Sequence, residues 1–216
     1  MKLWLASYPR SGNHFIRTTL NDAFGIKSAT VYLPEENNML SQPELADRLG
    51  YAGPLENIEN DSPGWTGIKT HDLPPDDATT IYVVRDGRAA LVSYLHYLKA
   101  FTQEMPTIPS MIRGDYWPGS WSAHFKAWDP RNRPNTLLLR YEDMQADIEA
   151  TCRSISSFLG VAPTGKVQNR LSEMRQIDSN LFRHGNNSRN IGEMAEFMDM
   201  FDEYHRPTME ECGYYS

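Results

Sequence analysis

The feature that most constrains the fold is an apolar run near the start of the chain that gives way to a polar loop and then to a helical pattern. Residues 3–7 read LWLAS, the composition of a buried strand. Residues 8–14 contain Pro, Ser, Gly and Asn, which end a strand in a loop. Apolar residues then recur at helical spacing over 15–24, and Gly25 follows as a stop signal. The start of the chain therefore predicts a strand, a loop and a helix in succession.

The same alternation continues along the chain and predicts a parallel sheet. Further strands are predicted at 67–71, 80–84 and 136–139, and helices at 43–49, 89–98, 121–128, 148–159 and 194–204. Residues 101–119 and 184–190 are expected to be loops, the first of them a mobile loop or lid. Strands that alternate with helices favour a central parallel sheet flanked by helices, with ligands at the carboxyl ends of the strands. We therefore expect an α/β fold in a single domain over residues 1–216.

The composition narrows the function classes. The chain has 216 residues, of which 40% are hydrophobic and 23% charged, and its formal net charge is −7. Such an acidic chain is a poor candidate for nucleic-acid binding through a broad basic face, although a few local cations can still hold a small anion. Its two cysteines, Cys152 and Cys212, follow neither a disulfide pattern nor a metal-ligand spacing, and no apolar run reaches membrane-spanning or signal-peptide length. We expect a soluble cytoplasmic protein with no metal, no nucleic acid and no membrane partner.

The loop at residues 7–15 has the features of an anion-binding turn. It enters the N-terminus of the predicted helix, where backbone N–H groups and the helix dipole favour negative charge. Gly12 allows the backbone to approach a ligand closely, and Arg10 adds a fixed charge. Ser11 and Asn13 add side-chain donors. The simpler interpretation is a strand-to-helix turn with an incidental arginine, and the GxxxxGK string of nucleoside triphosphate sites is absent.

This loop reads SYPRSGNHF and resembles the TYPKSGTTW loop of the sulfotransferases that use 3′-phosphoadenosine 5′-phosphosulfate (PAPS). The resemblance implies the P-loop-like sulfotransferase fold of that family. It places Arg10 where the family has a lysine and Phe15 where an aromatic residue stacks on adenine. It also implies contacts to the 5′-phosphosulfate from the residues between them, Ser11, Gly12, Asn13 and His14. Arginine keeps the positive charge of the lysine but does not release a proton near neutral pH, so charge stabilisation is the role expected of Arg10.

A second segment, IYVVRDGRAALVSYLHY at 81–97, resembles the 3′-phosphate motif of the same family. The resemblance assigns the 3′-phosphate to Arg85 and Ser93. Arg85 leaves a predicted strand, Ser93 lies two helical turns further on, and the arginine fork suits a phosphate. The alternative is a solvated arginine and a serine on a helix surface. Tyr141, in LLLRYEDM at 137–144, falls on another nucleotide-contacting residue of the family.

A third segment, LFRHG at 181–185, resembles the FxRKG segment of the family, which contacts the 3′-phosphate. The resemblance assigns Arg183, His184 and Gly185 to the nucleotide, with His184 in place of a lysine. The glycine and tryptophan that the family has next are displaced or absent, since Met194 occupies the tryptophan position. This part of the nucleotide site is therefore the least closely matched.

The segment Ile68-Lys69-Thr70-His71 resembles the family's KTH segment, in which the histidine is the general base. The chemistry needs such a base because an acceptor hydroxyl loses its proton during attack, and histidine titrates near neutral pH. The resemblance implies that His71 is the base and that Arg10 and Lys69 stabilise the leaving phosphate. An isolated histidine is also commonly a surface or core residue. His124, in GSWSAHFKAW, is interpreted as structural, and the two tryptophans of that segment as core residues.

Together these matches predict a sulfotransferase that moves the sulfuryl group of PAPS to a hydroxyl group, or an amine, of a small-molecule acceptor and releases 3′-phosphoadenosine 5′-phosphate (PAP). One alternative is a protein that binds PAPS or PAP without catalysis. Another is a P-loop-like kinase or nucleotide hydrolase, which the absence of a Lys-Ser or Lys-Thr pair disfavours. The family's KxxxTVxxxE dimer motif is not found, so a monomer or a weak dimer is expected.

Overall fold

A six-stranded parallel sheet forms the centre of the computed structural model, which describes residues 1–32, 43–55, 64–168, 176 and 187–215. The strands are β1 (Lys2–Ser7), β2 (Ser28–Thr30), β3 (Tyr51–Pro54), β4 (Thr66–Thr70), β5 (Thr80–Val84) and β6 (Thr136–Arg140). Their order across the sheet is β3-β2-β4-β1-β5-β6, and every pair of neighbours is parallel. The predicted α/β fold with a central parallel sheet is confirmed.

Nine helices are described around the sheet. They are α1 (Asn13–Phe24), α2 (Pro43–Arg48), α3 (Gly87–Phe101), α4 (Ile108–Arg113), α5 (Trp121–Trp128), α6 (Tyr141–Ala146), α7 (Ile148–Leu159), α8 (Asn187–Met194) and α9 (Met198–Glu211). The predictions for α5 and α7 match at both ends. Among the described residues, no helix combines the length and the apolar character that a membrane crossing requires.

The sheet is buried on both faces, as the run LWLAS predicts. Leu3 and Leu5 belong to a cluster that includes apolar residues of α1 and α7. Trp4 and Ala6 belong to a second cluster that includes residues of α3, α5 and α9, Trp121 and Trp128 among them. Because successive strand residues point to opposite faces, one strand serves both clusters. The core role predicted for the two tryptophans is confirmed, since both are almost completely buried.

The register of the strands brings their carboxyl ends to one edge. Ser7, the last residue of β1, lies opposite Val83 of β5, and Val84 lies opposite Arg140 of β6. On the other side of β1, Ala6 lies opposite Thr70 of β4. The loops that follow β1, β4, β5 and β6 therefore meet at this edge, where a parallel sheet binds its ligands.

Two segments that were predicted to be loops contain helices. Residues 101–119 include α4, which begins with a reciprocal capping arrangement between Thr107 and Ser110. The end of this segment is tied to the core, because the hydroxyl of Tyr94 donates to the Trp117 carbonyl over 2.8 Å. Helix α8 begins at Asn187, inside the second expected loop. Its polar sequence NSRNIGEM gives no loop-to-helix signal, and packing against α3 stabilises it.

Candidate active site

The loop between β1 and α1 reaches the first helical turn through two residues with left-handed backbone conformations. The φ angle is 64° at Arg10 and 104° at Gly12. A Cβ atom on Gly12 would lie 2.5 Å from the ring of Tyr141, so only glycine fits there. The loop backbone is thus held directly against the first residue of α6.

Two predicted donors of this loop differ in what they do. The Ser11 hydroxyl is completely buried and has no hydrogen-bond partner among the described residues, a state that fits an anion acceptor at this helix terminus. The Asn13 amide instead donates to the Leu5 carbonyl over 2.8 Å and to the Ser7 hydroxyl over 3.3 Å. In the structure this amide holds the end of β1, and the contact from Asn13 to the ligand stays a prediction.

Arg85 links the loops that follow β1, β5 and β6. Its side chain is 4% exposed, and its Nη1 donates to the Arg10 carbonyl over 2.9 Å. Its Nε and Nη2 donate to the Asn187 side-chain oxygen over 3.1 and 2.6 Å. The Asn187 amide nitrogen in turn donates to Glu142 over 2.9 Å. The guanidinium also lies 4.8 Å from the centre of the Tyr141 ring, so three residues, Arg10, Asn187 and Tyr141, fix Arg85.

Arg10 is the residue at which the two predicted phosphate-binding motifs meet. Its backbone carbonyl accepts from Arg85, and its Nε donates to the Ser93 hydroxyl over 3.4 Å. Its guanidinium lies 5.5 Å from the centre of the Tyr97 ring. The structure therefore brings Arg85 and Ser93 to one place, as the sequence predicted, with Arg10 between them.

An aromatic pair stands beside this loop. Phe15 and Tyr141 have ring centres 6.3 Å apart and planes at 80°. Phe15 is only partly buried, whereas one face of the Tyr141 ring is closed by Gly12. Phe15 therefore offers a partly exposed ring surface of the kind on which a nucleobase stacks.

His71 follows β4 and is held in one tautomer. Its Nδ1 lies 2.7 Å from the Ser7 carbonyl oxygen, which only accepts, so Nδ1 carries the hydrogen and Nε2 is the basic nitrogen. Burial and the positive charge of Lys69 hold the pKa of His71 well below its usual range. The imidazole is therefore neutral near pH 7 and can accept a proton at Nε2.

The backbone of His71 is fixed on both sides. Its N–H donates to the Tyr32 hydroxyl over 2.7 Å, and its carbonyl accepts from Nε2 of His124 over 3.0 Å. His124 is fully buried and receives the Tyr82 hydroxyl at Nδ1 over 2.8 Å. Trp128 donates to the carbonyl of the next residue, Asp72, over 2.9 Å. The structural role predicted for His124 is confirmed, because one ring nitrogen holds the His71 backbone and the other accepts from the buried Tyr82 hydroxyl.

Lys69 brings a second cation next to His71. Its side chain is 7% exposed, and its Nζ lies 4.7 Å from the centre of the Tyr32 ring. Burial, together with the charges of Arg17 and Arg10, lowers the pKa of Lys69 to about 7. Burial and the charge of Lys69 also lower the pKa of His14 well below its usual range. His14 is thus close to the same cations and neutral.

Two aromatic residues complete the surroundings of His71. The Tyr32 ring stacks near the imidazole with centres 6.1 Å apart and planes at 21°. The half-exposed Trp117 ring lies 5.7 Å from Tyr32 and 6.2 Å from His71, and its Nε1 donates to Asp72 over 3.1 Å. The sequence analysis missed both, since Tyr32 follows a strand of only three residues and Trp117 lies in the expected loop. It also missed Asn187.

The remaining residues that were predicted to bind the nucleotide are not described by the structure. Arg183, His184 and Gly185 lie outside the described residues. Over the described ranges, no group of His, Cys, Asp and Glu side chains could hold a metal ion. The residues brought together are therefore those of the loop at 8–15, with Lys69, His71, Arg85, Ser93 and Tyr141.

Comparison with known sequences identifies relatives of this chain. Sulfotransferase 4A1 of Mus musculus is 26% identical, with 74% of this chain and 60% of that protein covered. Sulfotransferase 2A6 of the same organism is 35% identical, with 73% and 59% covered. Luciferin sulfotransferase of Photinus pyralis is 22% identical, with 97% and 72% covered. The chain spans about 60% of the length of the first of these relatives.

Solved structures share the fold. Mouse sulfotransferase SULT7A1, complexed with PAP, has a TM-score of 0.68 at 21% identity, with all of this chain and 89% of that one covered. Retinol dehydratase, in complex with androsterone and the inactive cofactor PAP, has a TM-score of 0.67 at 19% identity, with 96% and 80% covered. The family model for the sulfotransferase domain matches residues 1–200. Since that match extends over most of the sequence, the chain belongs to the sulfotransferase domain family.

Proposed function

We propose that this chain transfers the sulfuryl group of PAPS to a hydroxyl group, or an amine, of a small-molecule acceptor and releases PAP. The observation that carries the proposal is the position of His71. A neutral imidazole with its basic Nε2 available is hydrogen-bonded to the end of the strand that leads into the anion-binding loop. The base at the end of β4 is thus tied to the end of β1, which leads into the anion site. Membership of the family and the PAP complexes of structural neighbours support the same reaction.

The residues present fit the donor. The buried, unpaired hydroxyl of Ser11 and the loop backbone would hold the 5′-phosphosulfate, together with the charge of Arg10. Arg85 and Ser93 would hold the 3′-phosphate, and Phe15 and Tyr141 would contact the adenine ring. Further contacts from Arg183, His184 and Gly185 are part of the proposal. When bound, PAPS supplies a sulfuryl group whose bond to the 5′-phosphate breaks as the acceptor oxygen bonds to sulfur.

Residues of this chain accept the proton of the acceptor and stabilise the charge on the leaving phosphate. Nε2 of His71 takes the proton of the acceptor hydroxyl, and Nδ1 keeps its bond to the Ser7 carbonyl while the imidazolium forms. Arg10 and Lys69 place positive charge where negative charge collects on the leaving phosphate. Arg10 acts by charge and hydrogen bonding alone, because a guanidinium does not release its proton near pH 7.

The compartment and the assembly belong to the same proposal. Both cysteines are free thiols, Cys212 is buried with its pKa raised to about 12 by burial, and Cys152 is partly buried. Free thiols fit a reducing compartment such as the cytoplasm. We propose a single-domain protein that acts there as a monomer or a weak dimer. Size-exclusion chromatography with light scattering at two concentrations tests the last point, and a concentration-independent dimer would contradict it.

Nucleotide preference and transfer test the proposal together. We expect PAP to raise the melting temperature of the protein, while ATP does not. Radiolabelled PAPS incubated with a panel of hydroxylated and amine acceptors should then give labelled product with at least one of them. Stabilisation by ATP alone would overturn the proposal. PAP binding with no transfer to any acceptor would instead establish a non-catalytic nucleotide-binding protein, an alternative that Arg10 and Met194 keep open and that the presence of Lys69 and His71 counts against.

A further inference from the structure

Arg17 is a fully buried cation that the proposed reaction does not use. It lies on α1, and its Nε donates to the Ser28 hydroxyl of β2 over 2.8 Å. Its two terminal nitrogens, Nη1 and Nη2, are buried and have no hydrogen-bond partner within the described ranges. Burial lowers the pKa of Arg17 to about 10, so the group stays charged near pH 7. A buried charge without a partner is costly and rarely kept unless something binds it.

The surroundings of Arg17 add to its unbalanced charge. The positive charges of Arg17 and Lys69 act on each other in this buried layer, and the negative charge of Asp72 also acts on Lys69. The Tyr51 hydroxyl, on β3, also feels the charge of Arg17 and is likewise buried without a hydrogen-bond partner among the described residues. Two guanidinium nitrogens and one hydroxyl thus remain available as donors beneath β2 and β3.

The order of the strands separates these donors from the nucleotide. Arg85, Ser93 and Tyr141 follow β5 and β6, on one side of β1. The neighbours of Arg17 belong to β2 and β3, at the opposite end of the sheet. Lys69 and His71 are at β4, between the two groups. Across the sheet, an anion bound at Arg17 would therefore lie on the other side of β4 from Arg85, Ser93 and Tyr141, and this is the side on which we place the acceptor.

We propose that Arg17, Lys69 and Tyr51 form an anion subsite for the acceptor, which therefore carries a carboxylate or a phosphate besides its nucleophilic group. This inference rests on the proposed function, because it assumes that an acceptor approaches His71. The anion would pair the terminal nitrogens of Arg17 as a fork and would accept from the Tyr51 hydroxyl. A carboxylate and a phosphate monoester share this chemistry, and the experiment separates them.

The test measures anion binding to PAP-saturated protein by thermal shift, without any transfer reaction. One arm compares benzoate with benzamide, and the other compares phenyl phosphate with phenol, so that each pair differs in the charged group. We expect one anion to bind at least tenfold more tightly than its neutral partner. Arg17→Met should remove that preference and leave PAP affinity unchanged. Equal binding of both members in both pairs by the wild-type protein would overturn the inference.

Control variants and further measurements separate the possible outcomes. Arg17→Lys retains a cation and should retain part of the preference, while Arg113→Met removes an exposed guanidinium on α4 and should retain all of it. If Arg17 only supports Ser28, Arg17→Met lowers the melting temperature and leaves the preference intact, which overturns the inference. If Arg17→Met weakens PAPS binding, the anion belongs to the donor, and the inference is again overturned. Failure of the wild-type protein to bind PAP would count against the proposed function instead.

Discussion

The buried arginines on the two sides of the candidate site, on either side of β4, differ in their hydrogen-bond partners. On the nucleotide side, Arg85 has protein partners for three of its nitrogens, and Asn187 connects it to Glu142. On the acceptor side, Arg17 and Tyr51 are buried with polar atoms that have no partner in the described part of the chain. A paired network is preorganised and needs little rearrangement when its ligand binds. A buried polar group without a hydrogen-bond partner gains most free energy from a ligand that supplies one. We therefore expect Arg17 and Tyr51 to determine which acceptors bind.

The largest effect should come from removing the base that stands between the two sides. His71→Ala should lower kcat/KM by about 10³-fold, the size of a general-base contribution, and leave PAP affinity unchanged. Steady-state kinetics and calorimetric titration with PAP measure the two quantities. His96→Ala, which removes a partly exposed histidine paired with Glu193, is the control and should change kcat/KM little. An equal loss of PAP affinity in His71→Ala would mean that His71 is structural.

A smaller effect is expected within the nucleotide side alone. Arg85→Met should weaken PAP binding by roughly tenfold to a hundredfold, since a hydrogen bond to a charged group contributes about 1.5–3 kcal/mol. The acceptor-side preference for an anion should stay as it is in the wild-type protein. Calorimetric titration of PAP checks the first statement and the thermal-shift pairs check the second. Unchanged PAP affinity would remove Arg85 from the proposed 3′-phosphate site.

The pH dependence of kcat/KM should show the smallest change. A variant on the acceptor side should move the pH at which kcat/KM falls, and a variant on the nucleotide side should not. Because the pKa of His71 is lowered, the base stays neutral well below pH 6.5, and activity should not fall there. Lys69, with a pKa of about 7, loses its charge as the pH rises, so kcat/KM should fall above pH 7 by up to about tenfold per unit. Arg17→Met removes a positive charge that lowers the pKa of Lys69. The pKa of Lys69 should therefore rise, and the fall in kcat/KM, the alkaline limb of the profile, should move to higher pH.

The control for the pH profile is a variant on the nucleotide side. Ser93→Ala removes a hydroxyl next to Arg10 but no charge near Lys69, so the limb should stay near pH 7. A limb that is the same in Arg17→Met and in the wild-type protein would show that the charge of Arg17 does not act on Lys69. Activity that rises through pH 7 in the wild-type protein would contradict the role of Lys69 as a cation.

The nucleotide side could largely be predicted from the sequence because its signals are local. A run such as LWLAS followed by a loop and a helical pattern specifies its own structure, and β1 and α1 appear where it predicts them. Arg85 and Ser93 lie in one continuous segment, so their spacing could be interpreted directly. Hydrogen bonds to Arg10 then bring both to the loop.

The acceptor side could not be predicted, because its features arise between distant residues. Strands β2 and β3 have three and four residues, too few to show a period. Arg17 looks like an ordinary helical residue until Ser28 and Tyr51 are found beside it. Trp117 reaches His71 across 46 positions of sequence, in a segment that prolines and glycines had marked as a loop.

Ser7 gives the site a common point of reference. Its carbonyl holds the ring of His71, its hydroxyl receives the Asn13 amide at the first turn of α1, and its own chain continues into the anion-binding loop. Ser7 therefore ties the ring of His71 to the loop, while Tyr32 and His124 hold the backbone of His71. The alignment needed for transfer is set by these bonds at the edge of the sheet, so acceptor loops can change in length and sequence without disturbing it.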